Sequence, residues 1–322
     1  MRVLAVQPIY GSHQGGTEVH IVAMSIGEMG HVFCRFGINI VVGTVIAANE
    51  IYCVSPMAEA SARVGIFIAF GKSDFIPLNA TFEYGDDFYV HSISPILGPK
   101  YGGTNVSITG AGFECHPKCY CKFGSVQIEA GLLNSSMLRC KSPEAVGDQN
   151  DVPVLVSLNG ADFIGAPDLF AYYETPSVTS IFPYNGPETG NTRIKVLGSN
   201  FKDTKGLLCQ FGRFSAATRG IFVNSRYIEC LSPSHNPGIV SLSISNNGMD
   251  FSPSTAEYEF YGRVFIYSIS PLQGTVAGGT TVKIRGSGFI FSSLLRCKFG
   301  DREVGASFID SENIRCISPQ HL

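Results

Sequence analysis

The sequence predicts an all-β chain, a tandem array of small two-sheet sandwiches, and three observations predict it. The first is a repeat. Cys34-Arg35-Phe36-Gly37 followed by Cys53-Val54-Ser55-Pro56 returns as Cys121-Lys122-Phe123-Gly124 with Cys140-Lys141-Ser142-Pro143. It returns again as Cys209-Gln210-Phe211-Gly212 with Cys230-Leu231-Ser232-Pro233, and as Cys297-Lys298-Phe299-Gly300 with Cys316-Ile317-Ser318-Pro319. The leading cysteines lie 87, 88 and 88 residues apart, so the chain is an array of one unit. The second is period-two hydrophobic patterning over short segments, the mark of half-buried strands. The third is 36 Gly and 17 Pro without a collagen-like period, as many turns require.

The repeats are assigned as 1–88, 89–175, 176–262 and 263–322. The clearest is the second. Ser92-Ile93-Ser94-Pro95 opens it on an edge strand, where Pro is tolerated. A Gly-rich turn, Gly98-Pro99-Lys100-Tyr101-Gly102-Gly103, precedes Thr104–Gly110. There Val106 and Ile108 face one side, and Asn105, Ser107 and Thr109 face the other. Gly110-Ala111-Gly112-Phe113 ends that strand, and Gly198-Ser199-Asn200-Phe201 and Gly286-Ser287-Gly288-Phe289 repeat the signal. Next come a strand with Cys121 and Phe123, an alternating Val126, Ile128, Ala130, and a partner with Leu138 and Cys140. Val152, Val154, Val156 and Leu158 form another strand, turned at Asn159-Gly160, and Phe170-Ala171-Tyr172-Tyr173 supplies the last. Short strands with turns every 8–12 residues indicate sandwiches of immunoglobulin type, with no amphipathic helix.

The first repeat is degenerate, reading Ala23-Met24-Ser25-Ile26 where the others have Gly-x-x-Phe. The linkers Gly85-Asp86-Asp87, Glu174-Thr175-Pro176 and Gly262-Arg263 are minimal, so the array is expected to be a semi-rigid rod. The fourth repeat stops three residues after its Ser-Pro, without counterparts of Val152–Leu158 and Phe170–Tyr173. Its sheets are expected to keep unpaired edges. At the other end, Met1–Val6 runs into Pro8 and leaves no room for a secretory leader. Both ends read as falling inside a longer protein.

Ser-Ile-x-Pro, Gly-Gly-Thr, Gly-x-x-Phe, Cys-x-Phe-Gly, Cys-x-Ser-Pro and the closing aromatic segment together resemble the IPT/TIG family. Repeats two to four carry the pattern well, with Gly190-Asn191-Thr192 departing slightly, and repeat one carries it in part. The resemblance implies immunoglobulin-like sandwiches of the E-set type. Tandem, cysteine-bearing members include ectodomains of plexins, of the hepatocyte growth factor receptor and of fibrocystin-like surface proteins. Other members are dimerisation domains of Rel-type transcription factors and accessory modules of secreted starch-acting enzymes, so the family carries a function only by analogy.

Eight of the ten cysteines co-repeat as Cys34/Cys53, Cys121/Cys140, Cys209/Cys230 and Cys297/Cys316, the recurrence that a structural disulfide requires. The alternative is buried free thiols in a reducing compartment. Cys115 and Cys119 read as a local disulfide. A zinc site with His116 lacks a second ligand cluster. There is no Trp to pack on the disulfides as in antibody domains. Asn79-Ala80-Thr81, Asn105-Val106-Ser107 and Asn134-Ser135-Ser136 match the N-glycosylation acceptor.

No catalytic grouping stands out. The seven His are scattered, no Gly-x-Ser-x-Gly elbow occurs, and Gly110-Ala111-Gly112 lacks the third glycine of a dinucleotide fingerprint. Asp86-Asp87 suggests calcium between repeats, but the other junctions lack such a pair, which favours a solvated linker. Neither cofactor nor metal is expected. A net charge of −3 gives no electrostatic reason to expect nucleic acid. The charge is graded along the chain, from four Lys/Arg against eight Asp/Glu in 1–88 to seven against four in 263–322, a gradient that reads as drift between repeats. No apolar run reaches the ~18 residues of a membrane helix. The expected function is a non-enzymatic extracellular or cell-surface segment of a membrane-anchored or secreted chain. Its role would be adhesion, binding of a protein ligand or neighbouring surface protein, or spacing. The alternative is an accessory binding module of a secreted carbohydrate-active enzyme, disfavoured by the lack of Trp platforms.

Overall fold

Alternating strands and glycine turns fold into β-structure throughout the computed structural model, which describes residues 2–321 apart from 25, 27–30, 72–73, 149, 214 and 254–255. Among the described residues there is no helix, and so none long and apolar enough to cross a membrane. The chain divides into two compact units, residues 1–174 and 175–322.

In the first unit, repeat one comprises β1 (Arg2–Gln7), β2 (Tyr10–Ser12), β3 (Glu18–Met24), β4 (Val32–Phe36), β5 (Asn39–Ala47), β6 (Glu50–Val54), β7 (Ala62–Phe70) and β8 (Ile76–Gly85). Their order is β1-β3-β6-β5-β4-β7-β8-β2. Strand β5 belongs to both sheets. Asn39–Gly43 pairs with β4, and Thr44–Ala47 pairs with β6 across a bulge. Repeat two copies this order with β9 (Tyr89–Ser94), β10 (Leu97–Pro99), β11 (Asn105–Ala111), β12 (Cys119–Phe123), β13 (Val126–Asn134), β14 (Met137–Lys141), β15 (Asp151–Ser157) and β16 (Ile164–Tyr173). The alternation seen in the sequence becomes burial. Val106, Ile108, Leu138, Val154, Val156 and Phe170 close the core of repeat two, and Ile21, Ile51, Ile66, Ile68 and Phe82 that of repeat one. Ile26, which stands where the other repeats have Phe, is fully buried and fills the same place.

Two of the recurring motifs hold each other. The Thr104 amide donates to Ser142 Oγ at 3.1 Å, and the Gly103 and Ser142 amides donate to the Ser142 and Thr104 carbonyls. The same amide-to-hydroxyl bond joins Thr17 to Ser55, Thr192 to Ser232 and Thr280 to Ser318. Gly-Gly-Thr and Cys-x-Ser-Pro are thus two sides of one clasp. Gly102 has φ +75°, and a Cβ there would come within 2.5 Å of the Pro143 carbonyl, so only glycine fits. At Gly110, the first residue of Gly-x-x-Phe, a Cβ would strike the Tyr89 carbonyl oxygen of β9.

In the second unit, repeat three contains β17 (Ser177–Phe182), β18 (Asn185–Pro187), β19 (Arg193–Ser199), β20 (Leu208–Phe211), β21 (Thr218–Arg219), β22 (Ile221–Asn224), β23 (Tyr227–Leu231), β24 (Gly238–Ser245) and β25 (Glu257–Tyr261). They form the sheets β17-β19-β23-β22 and β18-β25-β24-β20-β21. The crossing strand is here divided into β21 and β22. Repeat four has β26 (Phe265–Ser270), β27 (Thr281–Ser287), β28 (Arg296–Phe299), β29 (Arg302–Asp310) and β30 (Asn313–Ile317), ordered β26-β27-β30-β29-β28. Among the described residues β28 pairs with β29 alone, whereas its counterpart β12 lies between β13 and β15. The core of repeat four is correspondingly small, centred on Val282, Ile284, Phe289, Cys297, Ile314 and Cys316.

Candidate functional site

Each repeat carries one disulfide that joins its two sheets. Cys34–Cys53 links β4 to β6, Cys121–Cys140 links β12 to β14, Cys209–Cys230 links β20 to β23, and Cys297–Cys316 links β28 to β30. All eight sulfurs lie in the cores, at the level where the crossing strand passes from one sheet to the other. Cys115–Cys119 closes a short loop ahead of β12. Among the described residues no cysteine is free, and no group of three or more His, Cys, Asp or Glu is placed to hold a metal ion.

That short loop has a task at the joint between repeats one and two. It presents His116, whose ring stacks on Tyr10 of β2 with centroids 3.6 Å apart and planes 4° from parallel. The His116 amide is anchored on the Leu158 carbonyl at 2.8 Å. The turn after β15 completes the contact. Asn159 Oδ1 accepts from the Ala161 and Asp162 amides, and its Nδ2 donates to the Tyr10 carbonyl at 2.8 Å and to Asp162 Oδ2 at 2.7 Å. Thr17 Oγ1 donates to the same Asp162 oxygen at 2.7 Å. Burial, and then the nearby carboxylates of Glu114, Asp86, Glu83 and Asp87, push the Tyr10 phenol up from its ordinary pKa. Asp87 accepts from Ser12 Oγ at 2.5 Å and Asp86 from Ser61 Oγ at 2.9 Å, so this acidic pair serves the chain's own hydroxyls.

Sequence reasoning reads Asn159-Gly160 only as a turn and gives Tyr10, His116 and Asp162 no structural role. A signal existed. Asn-Gly-x-Asp returns 88 residues later as Asn247-Gly248-Met249-Asp250, with the same internal bonds from Asn247 Nδ2 to Asp250 and from the Asp250 amide to Asn247 Oδ1.

The outer surfaces differ between repeats. On repeat one, the Arg35 guanidinium carbon lies 4.1 and 4.6 Å from the ring centroids of Phe67 and Phe75, beside exposed Ile40 and Val42. In repeat two Lys122 replaces Arg35 and keeps a longer contact, 5.7 Å, to the Phe163 ring, while Gln127 and Glu129 stand where Ile40 and Val42 do, so this face is less apolar there. The three acceptor asparagines, Asn79 on β8, Asn105 on β11 and Asn134 on β13, are all exposed.

Tandem two-sheet sandwiches, each with a cross-sheet disulfide and a Gly-Gly-Thr/Ser-Pro clasp, define an immunoglobulin-like array. The chain belongs to the IPT/TIG domain family, whose profile matches residues 89–172, 176–260 and 265–322. Residues 1–88 lie outside these matches, yet β1–β8 follow the strand order of β9–β16. Mouse fibrocystin-L is 26% identical over 337 residues, covering 99% of this chain and 8% of the relative. Human plexin-A3 is 32% identical over 156 residues, covering 45% of this chain and 8% of the relative. The chain thus spans about a twelfth of the length of these two relatives. Among solved structures, the full extracellular region of plexin A4 aligns with 99% of this chain and 34% of its own at 15% identity, with a TM-score of 0.42.

Proposed function

We propose that this chain is a non-enzymatic extracellular segment of a larger receptor-like protein. It acts there in adhesion, in binding a protein ligand or neighbouring surface protein, or as a spacer. The observation that carries the reading is one cross-sheet disulfide in every repeat with no cysteine left free among the described residues. Such bridges persist in oxidising compartments and are rare in the cytosol. Membership of a family shared with plexins and fibrocystin-L supports the same placement.

The stapling answers a physical need. A sandwich of roughly 88 residues has a core near the lower limit for independent stability. Closing a loop of 19 to 21 residues adds roughly 3 kcal/mol in the entropic account. The docked Tyr10/His116 and Thr17/Asp162 contacts hold the first two repeats in one orientation, which suits a segment that presents surfaces at a fixed spacing.

Peptide mass spectrometry under non-reducing conditions, on protein from an oxidising secretory host, tests the reading. The four repeat-internal bridges and Cys115–Cys119 are expected. Predominantly free thiols in folded protein would overturn it.

A further inference from the structure

The sheet of repeat two formed by β9, β11, β14 and β13 presents an outer face rich in small polar side chains. Reading across its rows, Ser94 pairs with Ser107 and Ser107 with Arg139, which faces Gly131. Ser92 pairs with Thr109, their hydroxyls 2.7 Å apart, and Thr109 pairs with Met137. Asn105 pairs with Lys141 at one end, and Asn134 pairs with Met137 at the other. Small hydroxyls, two cations and two acceptor asparagines occupy the middle and both ends of this face, with Met137 beside Asn134 and exposed Tyr89 opposite Ala111 at the far edge.

We propose that repeat two carries N-linked glycans on Asn105 and Asn134 and that this outer face is thereby covered. The inference rests on the extracellular reading above. Geometry favours both positions. Asn134 sits at the tip of the β13–β14 hairpin with an exposed side chain. Its Oδ1 accepts from the Ser136 amide at 2.9 Å and from Ser136 Oγ at 2.8 Å, which turns Nδ2 away from its acceptor Ser. Substitution at Nδ2 therefore costs neither bond. Asn105 is exposed while its neighbour Val106 is fully buried, so strand alternation sends the amide outward. Along β11 the two ends of the face are about 13 Å apart at strand rise. Two branched oligosaccharides can span that distance. Leu133, exposed at the bulge beside Asn134, would be shielded by its glycan.

The chemistry is a transfer from a lipid-linked oligosaccharide pyrophosphate. A bond forms between the anomeric carbon and Asn Nδ2, the anomeric C–O bond to pyrophosphate breaks, and the lipid pyrophosphate leaves. One amide proton passes to a base, and nothing is oxidised or reduced. Protein contacts would then fall to surfaces other than this one.

The test expresses residues 1–322 behind a secretory leader in a glycosylating eukaryotic host. Secreted protein is released with peptide N-glycosidase in heavy-oxygen water, and Asn-to-Asp conversion is mapped beside the disulfides. Conversion at Asn105 and Asn134 is expected. Ser107→Ala and Ser136→Ala should each remove one glycan while leaving all bridges intact. Lys141, which lies on the face, should react with an amine reagent more slowly in the glycosylated protein than in the double Ser→Ala variant. Intact bridges with no conversion at either asparagine would overturn this proposal alone. Free thiols without glycans would overturn the extracellular reading and this proposal with it.

Discussion

Tyr84 and Tyr172 occupy equivalent places on β8 and β16, and each stacks edge-on against a core phenylalanine, Phe82 and Phe170 respectively. Burial pushes both phenols up to about 12. Their hydroxyls differ in one respect. Tyr172 donates to the Pro143 carbonyl at 3.0 Å, whereas the Tyr84 hydroxyl is buried without a partner. An unsatisfied buried polar group costs about 1–3 kcal/mol, and a satisfied one contributes about 1 kcal/mol. Tyr84→Phe should therefore stabilise repeat one by roughly 1 kcal/mol, and Tyr172→Phe should destabilise repeat two by a similar amount, both read from urea midpoints. Repeat three already has Phe260 at this place. The raised pKa also sets a pH dependence. Above pH 10 the unfolded chain ionises these phenols while the folded chain keeps them neutral, so stability is intact below pH 10 and is lost between 10 and about 12. The double Phe variant should show a shallower loss over that window. An unchanged alkaline profile would mean that the phenols are solvated.

Among the strands, the crossing one shows what period-two reading captures and what it omits. Alternation in Val126, Ile128 and Ala130 correctly marks a strand, but it records only which side a residue faces, not the volume allowed there. The residue opposite the disulfide must be small, and it is Gly43, Ala130, Gly220 or Ala306 in the four repeats. A Cβ on Gly43 would lie 2.8 Å from the Cys34 sulfur and 3.3 Å from that of Cys53. Gly43→Val should cost repeat one about 1–3 kcal/mol, as over-packing does. Thermal unfolding of the variant measures it, with Thr44→Val, on the exposed side of the same strand, as the control that should be near neutral. Equal effects at the two positions would defeat the argument. The Gly-Gly-Thr and Cys-x-Ser-Pro motifs were plain in the sequence for a related reason. Each is fixed by backbone geometry and a single hydroxyl, so few substitutions fit, Asn191 with φ +66° being one that does, and the repetition survives. The Tyr10/His116 contact left no such trace, because stacking across a joint requires only matching shapes, and Leu97 and Asn185 stand where Tyr10 does in the next two repeats.

For the molecule as a whole, the repeat makes the fold legible and also sets an internal standard against which one copy can be judged. In repeats one to three a core phenylalanine, Phe36, Phe123 or Phe211, packs edge-on against an aromatic of the closing strand, at 5.4, 5.2 and 5.3 Å. Phe299 holds that place in repeat four, where the described residues include no closing strand, and among them a cavity of about 590 Å³ opens beside Phe299, Val282 and Ile269. Within residues 1–322 Ile269 is 44% exposed where its counterpart Ile93 is 3% exposed, so the 322-residue chain taken alone leaves open apolar area that repeat two buries. The disulfide Cys297–Cys316 still restrains the unfolded chain, but the native state it favours has fewer contacts. Phe123→Ala should cost about 3–5 kcal/mol, and Phe299→Ala less than half as much, because the cavity is already present. Amide hydrogen exchange reads the same difference without mutation. Strands β27 and β30 should exchange through a lower-energy opening than β11 and β14, their counterparts in repeat two, while the disulfides remain intact. Matching protection in the two pairs would show that the first sheet and its disulfide suffice to stabilise a repeat, and that the closing strands contribute surface rather than stability.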